Sequence, residues 1–160
     1  MEAAAALARR HDKRVSGRAW LKAGAIRNIR HCIEIRHKSF VVPEFTDLLR
    51  KHDLALVCAD TVEWPRLVDV TSNFVYCRLH GSEELYASGY DDAALDLWAT
   101  RVAEWVRGKE SPDGDRVMPP VPSKHAARDV FVYFDNDAKI RAPFDAQGLL
   151  TRVKRLLGSS

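Results

Sequence analysis

The sequence lacks long apolar runs and paired cysteines. No stretch of about 18 or more apolar residues occurs, so it contains no candidate transmembrane helix, and Met1–Leu7 is too short and too acidic for a signal peptide. The three cysteines, Cys32, Cys58 and Cys77, are an odd number without C-x-x-C spacing, and each lies in an apolar run. We therefore expect a cytoplasmic protein without membrane association, with buried and reduced thiols.

A strong charge of one sign is also lacking. The 25 Lys and Arg residues and 22 Asp and Glu residues give a formal net charge of +3. Hydrophobic residues at 46% and charged residues at 29% are ordinary for globular proteins and exclude disordered, collagen-like and disulfide-scaffold classes. One basic cluster occurs near the N-terminus: Arg9, Arg10, Lys13, Arg14 and Arg18. Such a run is usually a solvated helix face, which makes nucleic-acid binding the weaker interpretation.

Motifs that would identify a chemistry are missing too. The sequence has no zinc-ligand spacing, phosphate-binding glycine loop, dinucleotide fingerprint or nucleophile elbow. The carboxylates and histidine Glu34, Asp60 and His80 are chemically able to hold a divalent ion, but their spacing is generic. We therefore predict no metal site, and the sequence identifies no cofactor.

Short β-like runs alternate with helical patterns. Four runs are rich in β-branched or aromatic residues: 31–36, 54–59, 74–79 and 130–134. Helices are predicted where a proline or an N-cap opens a stretch of apolar residues spaced three and four apart: 43–52, 91–107 and 143–157. In the second of these helices we expect Trp98 and Trp105 to be buried. This order predicts an α/β fold with parallel strands and right-handed crossovers.

Two segments interrupt the alternation. Residues 108–128 are rich in Pro, Gly, Ser and Lys and are unusually long for a connection in a compact domain. We predict a variable insertion loop there in preference to a functional arm. Residues 1–30 are basic and alanine-rich, and they favour a helix at the start and no strand.

Polar residues occur on strands that would normally be apolar throughout in a buried parallel sheet. With a period of two, Glu34 and Arg36 share one face of the first strand. Tyr76, Arg78 and His80 share one face of the third strand. In a barrel the apolar face meets the helices, so we expect these polar side chains to point into the interior.

The other two strands end in polar residues. Asp60 ends the second strand, and Tyr133, Asp135 and Asn136 end the fourth. Barrel enzymes place their chemistry at the carboxyl ends of the strands. Carboxylates beside arginines and a histidine can bind an anion, orient a substrate or shift one another's pKa. The alternative is a salt-bridge network inside the fold that binds no ligand.

These residues make up one candidate site. Glu34 or Asp60 is the candidate general base, and His80 is the candidate proton-transfer group. Arg36 and Arg78 are predicted to bind an anionic substrate. Four further residues complete the predicted substrate site: Tyr76, Tyr90, Tyr133 and Asn136. Tyr90 follows the loop Gly81–Gly89, in which Ser82 and Tyr86 also lie, and this loop is predicted to contact the substrate.

Five ordered segments resemble the signature of the YecE-like family, domain of unknown function 72. They are Glu34-x-Arg36-His37-x-Ser39-Phe40, Ala59-Asp60-Thr61, Phe74-Val75-Tyr76-x-Arg78-x-His80-Gly81, Tyr86-x-x-Gly89-Tyr90 and Tyr133-Phe134-Asp135-Asn136-Asp137. The resemblance spans roughly His31–Leu157. It implies a TIM-like (β/α)8 barrel, of which this chain is the C-terminal half, with about four parallel strands and flanking helices. Asp135 stands where members of the family often have asparagine.

A half-barrel has two open sheet edges, which invite pairing with another chain. We therefore expect residues 1–160 to form a single partial domain, and a homo-oligomer would cover its edges. The chain is then a misplaced start or gene fragment, a dimer that rebuilds a barrel-like core, or a stand-alone half-domain. The expected function is part of a barrel enzyme acting on a small polar or anionic substrate. The alternative is a non-catalytic binding or assembly module.

Overall fold

The structure is a computed structural model, and it describes residues 2–10, 24–25, 27–81, 89–111, 113–120, 127–136 and 140–158. Backbone contacts divide the chain into two compact units, Met1–Arg30 and His31–Ser160. In the first unit, helix α1 spans Glu2–Ala8, where a helix was predicted. Arg9 and Arg10 of the basic cluster are exposed, and its other members lie outside the described residues. None of the described helices is long and apolar enough to cross a membrane.

The second unit is an α/β fold built on one parallel sheet. Its elements in chain order are β1 (Cys32–Ile33), a 3₁₀ turn (Lys38–Phe40), α2 (Pro43–Lys51), β2 (Ala55–Asp60), β3 (Phe74–Leu79), α3 (Asp92–Val106), β4 (Asp129–Phe134) and α4 (Ala142–Leu157). The four strands are parallel and lie side by side in chain order. The predicted α/β class, with four parallel strands and flanking helices, is confirmed.

Local signals in the sequence set the ends of the helices. Pro43 lies in the first turn of α2, where its missing N–H costs nothing. The Asp91 carboxylate caps α3 by accepting a hydrogen bond from the N–H of Ala94 at 2.7 Å. Gly108, at φ 73°, and Gly158, at φ 69°, end α3 and α4 in the left-handed conformation that favours glycine.

The main core lies between one face of the sheet and helices α3 and α4. Cys77 and Leu79 of β3 pack there with Trp98, Trp105 and other apolar residues of the helices. Trp98 and Trp105 are buried, as predicted. We call this helix-covered side the outer face of the sheet and the opposite side its inner face.

The prediction of three buried thiols is wrong for one cysteine. Cys58 and Cys77 are buried, and burial raises the pKa of the Cys77 thiol well above its ordinary value. Cys32 is exposed. Its register with Ala55 places it on the inner face, which is open to solvent in the described part of the chain. An apolar run therefore did not imply that both faces of this strand are covered.

The connection after α3 is tied to the rest of the second unit where it is described. Arg101, on α3, makes two hydrogen bonds to the Asp113 carboxylate, at 3.0 and 2.6 Å. The Asp69 carboxylate, before β3, accepts hydrogen bonds from the backbone N–H groups of Val117 and Met118, both at 2.9 Å. These bonds fix residues 113–118 against α3 and the approach to β3. Residues 112 and 121–126 of this connection lie outside the described residues.

Candidate functional site

The inner face of the sheet is set by the register of its strands. Ala59 of β2 pairs with Arg78 of β3, which pairs with Tyr133 of β4. Two residues earlier in each strand, Val57 pairs with Tyr76. Paired residues in register point to the same side of a sheet. The inner face therefore carries small side chains on β2 and large polar ones on β3 and β4.

This difference in size leaves an open depression of 610 Å³ on the inner face. Val57 is the β2 residue that lines it, between larger side chains contributed by the neighbouring strands and their ends. The complete lining is Cys32, Glu34, Arg36, Val57, Tyr76, Arg78, Tyr133 and Asp135. Five residues of the predicted site thus meet in one place.

Four charged residues form a continuous row along the depression, which we call the charged row: Arg36, Glu34, Arg78 and Asp135. Arg36 Nη2 lies 2.8 Å from Glu34 Oε1, and Arg78 Nη1 lies 2.6 Å from Glu34 Oε2. The other terminal nitrogen of Arg78 pairs with Asp135 Oδ2. Cations and anions alternate, so each charge is balanced by a neighbour in the row.

The charged row fixes the ionisation of its members. Burial raises the pKa of Glu34, but the hydrogen bonds from Arg78 and Arg36 outweigh it and hold that pKa below its ordinary value. Burial lowers the pKa of Arg78, while its bonds to Glu34 and Asp135 raise it by more. At neutral pH the row therefore presents an ionised carboxylate held between two guanidinium groups.

Two tyrosines form a wall beside the charged row. The rings of Tyr76 and Tyr133 are stacked, with centroids 5.0 Å apart and an angle of 21° between their planes. Burial raises the pKa of Tyr76, so its hydroxyl remains neutral. About half of Tyr133 is exposed, at 49%. The depression therefore offers an aromatic surface next to paired charges.

His80 continues the charged row but is fully buried. Its Nδ1 lies 3.6 Å from Asp135 Oδ2, and the Trp64 ring meets the imidazole nearly edge to face, with centroids 5.6 Å apart. Burial and the charge of Arg78 lower the pKa of His80. The imidazole is consequently neutral at pH 7 and out of reach of a ligand in the depression.

Asp60 lies on the other side of the sheet from the charged row. It pairs in register with Leu79, one position beyond the pairing of Ala59 with Arg78, so its side chain points away from the inner face. Asp60 Oδ1 accepts a hydrogen bond from Arg66 Nη1 at 2.7 Å, and Oδ2 accepts one from the Tyr90 hydroxyl at 2.9 Å. Both carboxylate oxygens of Asp60 are thus occupied by side chains of the protein.

Tyr90 and Asn136 extend this second group of polar residues. The backbone N–H of Tyr90 donates to Asp145 Oδ2 at 3.1 Å, and Asn136 Nδ2 donates to the same oxygen at 2.7 Å. The Tyr90 hydroxyl accepts from the N–H of Gly81 at 3.1 Å. Burial and the nearby Asp60 charge raise the pKa of Tyr90 well above its ordinary value. We call Asp60, Tyr90, Asn136 and Asp145, all buried, the buried network.

The structure therefore divides the predicted site. Glu34, Arg36, Tyr76, Arg78 and Tyr133 line the depression. The other predicted residues, Asp60, Tyr90 and Asn136, belong to the buried network, and His80 lies next to Asp135 behind the depression. Ser82 and Tyr86 lie outside the described residues.

Sequence reasoning named Asp135 among the polar strand ends without giving it a role, and it left out Trp64 and Arg66. Asp135 lies two positions beyond Tyr133, so the period-of-two rule was sufficient to place it on the same face. Trp64 and Arg66 lie in the connection that leaves the carboxyl end of β2, where side chains can fold back over the strand ends. No periodicity marks such residues.

Within the residues that the structure describes, no group of three or more His, Cys, Asp and Glu residues is close enough to hold a metal ion.

His37, which follows Arg36 in the chain, has a local role. Its Nδ1 accepts a hydrogen bond from the N–H of Ser39 at 3.2 Å and so caps the 3₁₀ turn.

Comparison with known proteins identifies a family and a fold. The family model described as protein of unknown function DUF72 matches residues 7–158, and no curated protein matches the chain. A DUF72 family protein from Thermotoga maritima is 22% identical with a TM-score of 0.59, over 82% of this chain and 47% of that one. One from Enterococcus faecalis is 18% identical with a TM-score of 0.54, over 83% of this chain and 49% of that one. The chain thus spans about half the length of the solved structures it matches.

Proposed function

The chain belongs to the DUF72 family of proteins of unknown function, and we propose that its charged row binds a small polar ligand that carries an anionic group. One observation supports this most directly: paired arginines and carboxylates open onto a 610 Å³ depression near the carboxyl ends of parallel strands. In α/β folds this end of the sheet is where ligands bind.

We also propose that the sheet is the C-terminal half of a TIM-like barrel. The strands lie in chain order with helices packed on the outer face, and the matched relatives are about twice as long. In this arrangement residues 1–160 are a single partial domain and residues 108–128 are an insertion loop. The edges β1 and β4 are where a second copy of the chain would pair, and an unfolding midpoint that rises with protein concentration would reveal that pairing.

The two arginines have different roles in the proposed site. The Arg36 side chain is 59% exposed and binds one carboxylate, that of Glu34, whereas Arg78 is 30% exposed and lies between two. Arg36 is therefore the guanidinium that an incoming anion reaches, and Arg78 keeps the row in place. A guanidinium is well suited to this contact because it offers several hydrogen-bond donors in one plane.

The remaining groups supply the elements of proton transfer. Glu34 is ionised and accepts hydrogen bonds, and because its pKa is lowered it is a weak base. His80 is neutral at pH 7 and adjoins Asp135, an arrangement in which a carboxylate orients an imidazole base. Since both oxygens of Asp60 are occupied, we propose that Asp60 supports the strand end and is not the general base.

The test is a titration of the full chain with inorganic phosphate, acetate and succinate, followed by tryptophan fluorescence and by chemical shifts of backbone amides. We expect Arg36→Gln to weaken binding about tenfold or more, because charge-assisted hydrogen bonds are lost. The matched control is Arg155→Gln, an exposed arginine of α4 that contacts Asp96 at 3.7 Å. Equal affinities for the two variants, or no binding of any of these anions to the unaltered chain, would exclude the proposal.

A second candidate function is a non-catalytic assembly module in which the charged row only pairs internally. The balance of two arginines against two carboxylates supports it, because no charge is left over for a ligand. In that case, replacing Glu34 and Arg36 together by glutamine would change stability and leave the response to every anion unaltered. The titration above separates the two functions.

A further inference from the structure

Trp64 lies between an exposed cation and a buried histidine. On one side, the Arg36 guanidinium carbon is 4.6 Å from the centroid of the indole ring. On the other, the ring meets His80 nearly edge to face at 5.6 Å. His80 is completely buried, whereas Arg36 is the most exposed member of the charged row. Trp64 therefore separates the imidazole from the side on which Arg36 meets solvent.

The segment that carries Trp64 is short and tied at both ends. Residues 61–65 follow Asp60, the last residue of β2, and precede Arg66, whose guanidinium returns to bind the Asp60 carboxylate at 2.7 Å. Between these ends Val62 and Glu63 are exposed. The bridge fixes the base of this small loop, and within it the N–H of Glu63 donates to Thr61 Oγ1 at 3.3 Å.

The indole Nε1 of Trp64 is buried and has no hydrogen-bond partner within the described part of the chain. A buried donor without a partner is unfavourable. A small rearrangement that exposes Nε1 to water would therefore satisfy it.

We propose that Trp64 is a positioning residue that covers His80, that Arg36 holds this cover in place, and that a small anion which draws Arg36 away uncovers the imidazole. The covering step depends only on Trp64 and His80. The release step rests on the proposed ligand site, because the same guanidinium would bind the anion. The site would in this way expose its base when a ligand arrives.

The charges around His80 favour this sequence of events. Asp135 lies next to it, and the charges of Arg78, Glu34 and Arg36 also act on it. While the imidazole is covered, burial and Arg78 keep it neutral. Once water reaches it, the burial effect weakens and Asp135, 3.6 Å from Nδ1, favours the protonated form. Uncovering therefore makes His80 a better proton acceptor.

Covering is tested by acylation of the full chain with diethylpyrocarbonate, followed by peptide mass spectrometry. In the unaltered chain we expect His80 to react far more slowly than His52, which is exposed. Trp64→Ala should accelerate His80 on the order of tenfold, because the aromatic contact that holds the covered state is lost. Trp64→Phe keeps a ring and should stay close to the unaltered rate.

The fold of each variant is checked by circular dichroism, and His52 is the internal reference in every sample. An unchanged slow rate for His80 in a folded Trp64→Ala variant would overturn the cover. If His80 reacts as fast as His52 without any substitution, the cover is equally excluded.

Release is tested separately with Arg36→Gln and with inorganic phosphate. Arg36→Gln should accelerate His80 without phosphate, and phosphate should accelerate it in the unaltered chain but not in this variant. If only the Trp64 variant responds, Trp64 covers His80 but Arg36 does not hold Trp64 in place. If Arg36→Gln responds but phosphate has no effect, Arg36 does hold Trp64 in place, and phosphate is not a ligand of the proposed site.

Discussion

The charged row and the buried network use the same kinds of side chain at the same edge of one sheet, but they hold them differently. The carboxylates of the row belong to side chains that are 13% exposed in Glu34 and 32% in Asp135. The carboxylate of Asp60, in the network, is 2% exposed, with both oxygens bonded to the protein. Carboxylates of the network therefore hold the strand ends together, and those of the row remain partly exposed to solvent.

The face of the sheet decides between these two roles. Arg78 and Leu79 are neighbours in the chain, yet they point to opposite sides of β3. Asp60 aligns with Leu79 and so lies away from the inner face. A carboxylate at the position of Ala59 would face the depression, whereas Asp60, one position later, faces the other side of the sheet.

The largest effect on the free energy of unfolding is expected when a carboxylate is removed from each region. Asp60→Ala should lower the free energy of unfolding by about 3 kcal/mol, because Arg66 and Tyr90 lose a buried partner. The matched change Asp135→Ala should cost about 1 kcal/mol or less, since its pair with Arg78 is partly exposed. Urea unfolding followed by the fluorescence of the buried Trp98 and Trp105 measures both. Equal costs would remove the distinction between row and network.

A smaller effect is expected from a single hydroxyl. Tyr90→Phe removes the hydrogen bonds to the Asp60 carboxylate and from the N–H of Gly81, which should cost about 1–2 kcal/mol. Tyr133→Phe, at the half-exposed wall of the depression, should cost less than about 0.5 kcal/mol. The same unfolding measurement compares them. A larger cost for Tyr133 would mean that the open face, and not the buried network, depends on its tyrosine hydroxyl.

The smallest expected effect is the response of the row to acid. The pKa of Glu34 is lowered from its ordinary value of 4.5 in the folded chain, so the unfolded chain binds the proton more readily. Its contribution to stability is therefore present above that value and is lost as pH falls through the lower, folded value. Glu34→Gln should make unfolding free energy less steep below about pH 4.5. If the unfolding free energy depends on pH in the same way in the unaltered chain and in Glu34→Gln, the row does not hold Glu34 ionised.

Much of the fold and part of the site followed from local rules. Prolines, an aspartate cap and glycines placed the helix ends, and β-branched and aromatic runs placed β2, β3 and β4, because these signals act within a few residues. The run 31–36 was longer than the strand it predicted, since β1 spans only Cys32–Ile33. The period of two also placed Glu34 and Arg36 on the same face as Arg78. Glu34 and Arg78 meet there across β2, which lies between β1 and β3.

The rest of the site depended on information that no local pattern contains. Asp60 was grouped with the row because it ends a strand, but its face is set by register against β3. Asn136 lies two positions beyond Phe134, so the period of two already placed it on the helix-covered face, away from Tyr133 and Asp135. Tyr90 lies eleven positions beyond the end of β3, where the period of that strand no longer applies. The contacts of Asp69 with residues 117–118 likewise join segments distant in sequence, although composition alone described that connection as an insertion.

The strands are adjacent in chain order, yet the loops that join them differ greatly in length, and this has a consequence for the order of folding. Val57 and Tyr76 are separated by about 20 residues and Phe74 and Asp129 by about 55, which makes the second closure entropically costlier by about 0.9 kcal/mol. We expect β2 and β3 to associate first and β4 to join them later. The early parallel pair of β2 and β3 already contains Arg78 but not Asp135, so the charged row is completed only when the last strand docks.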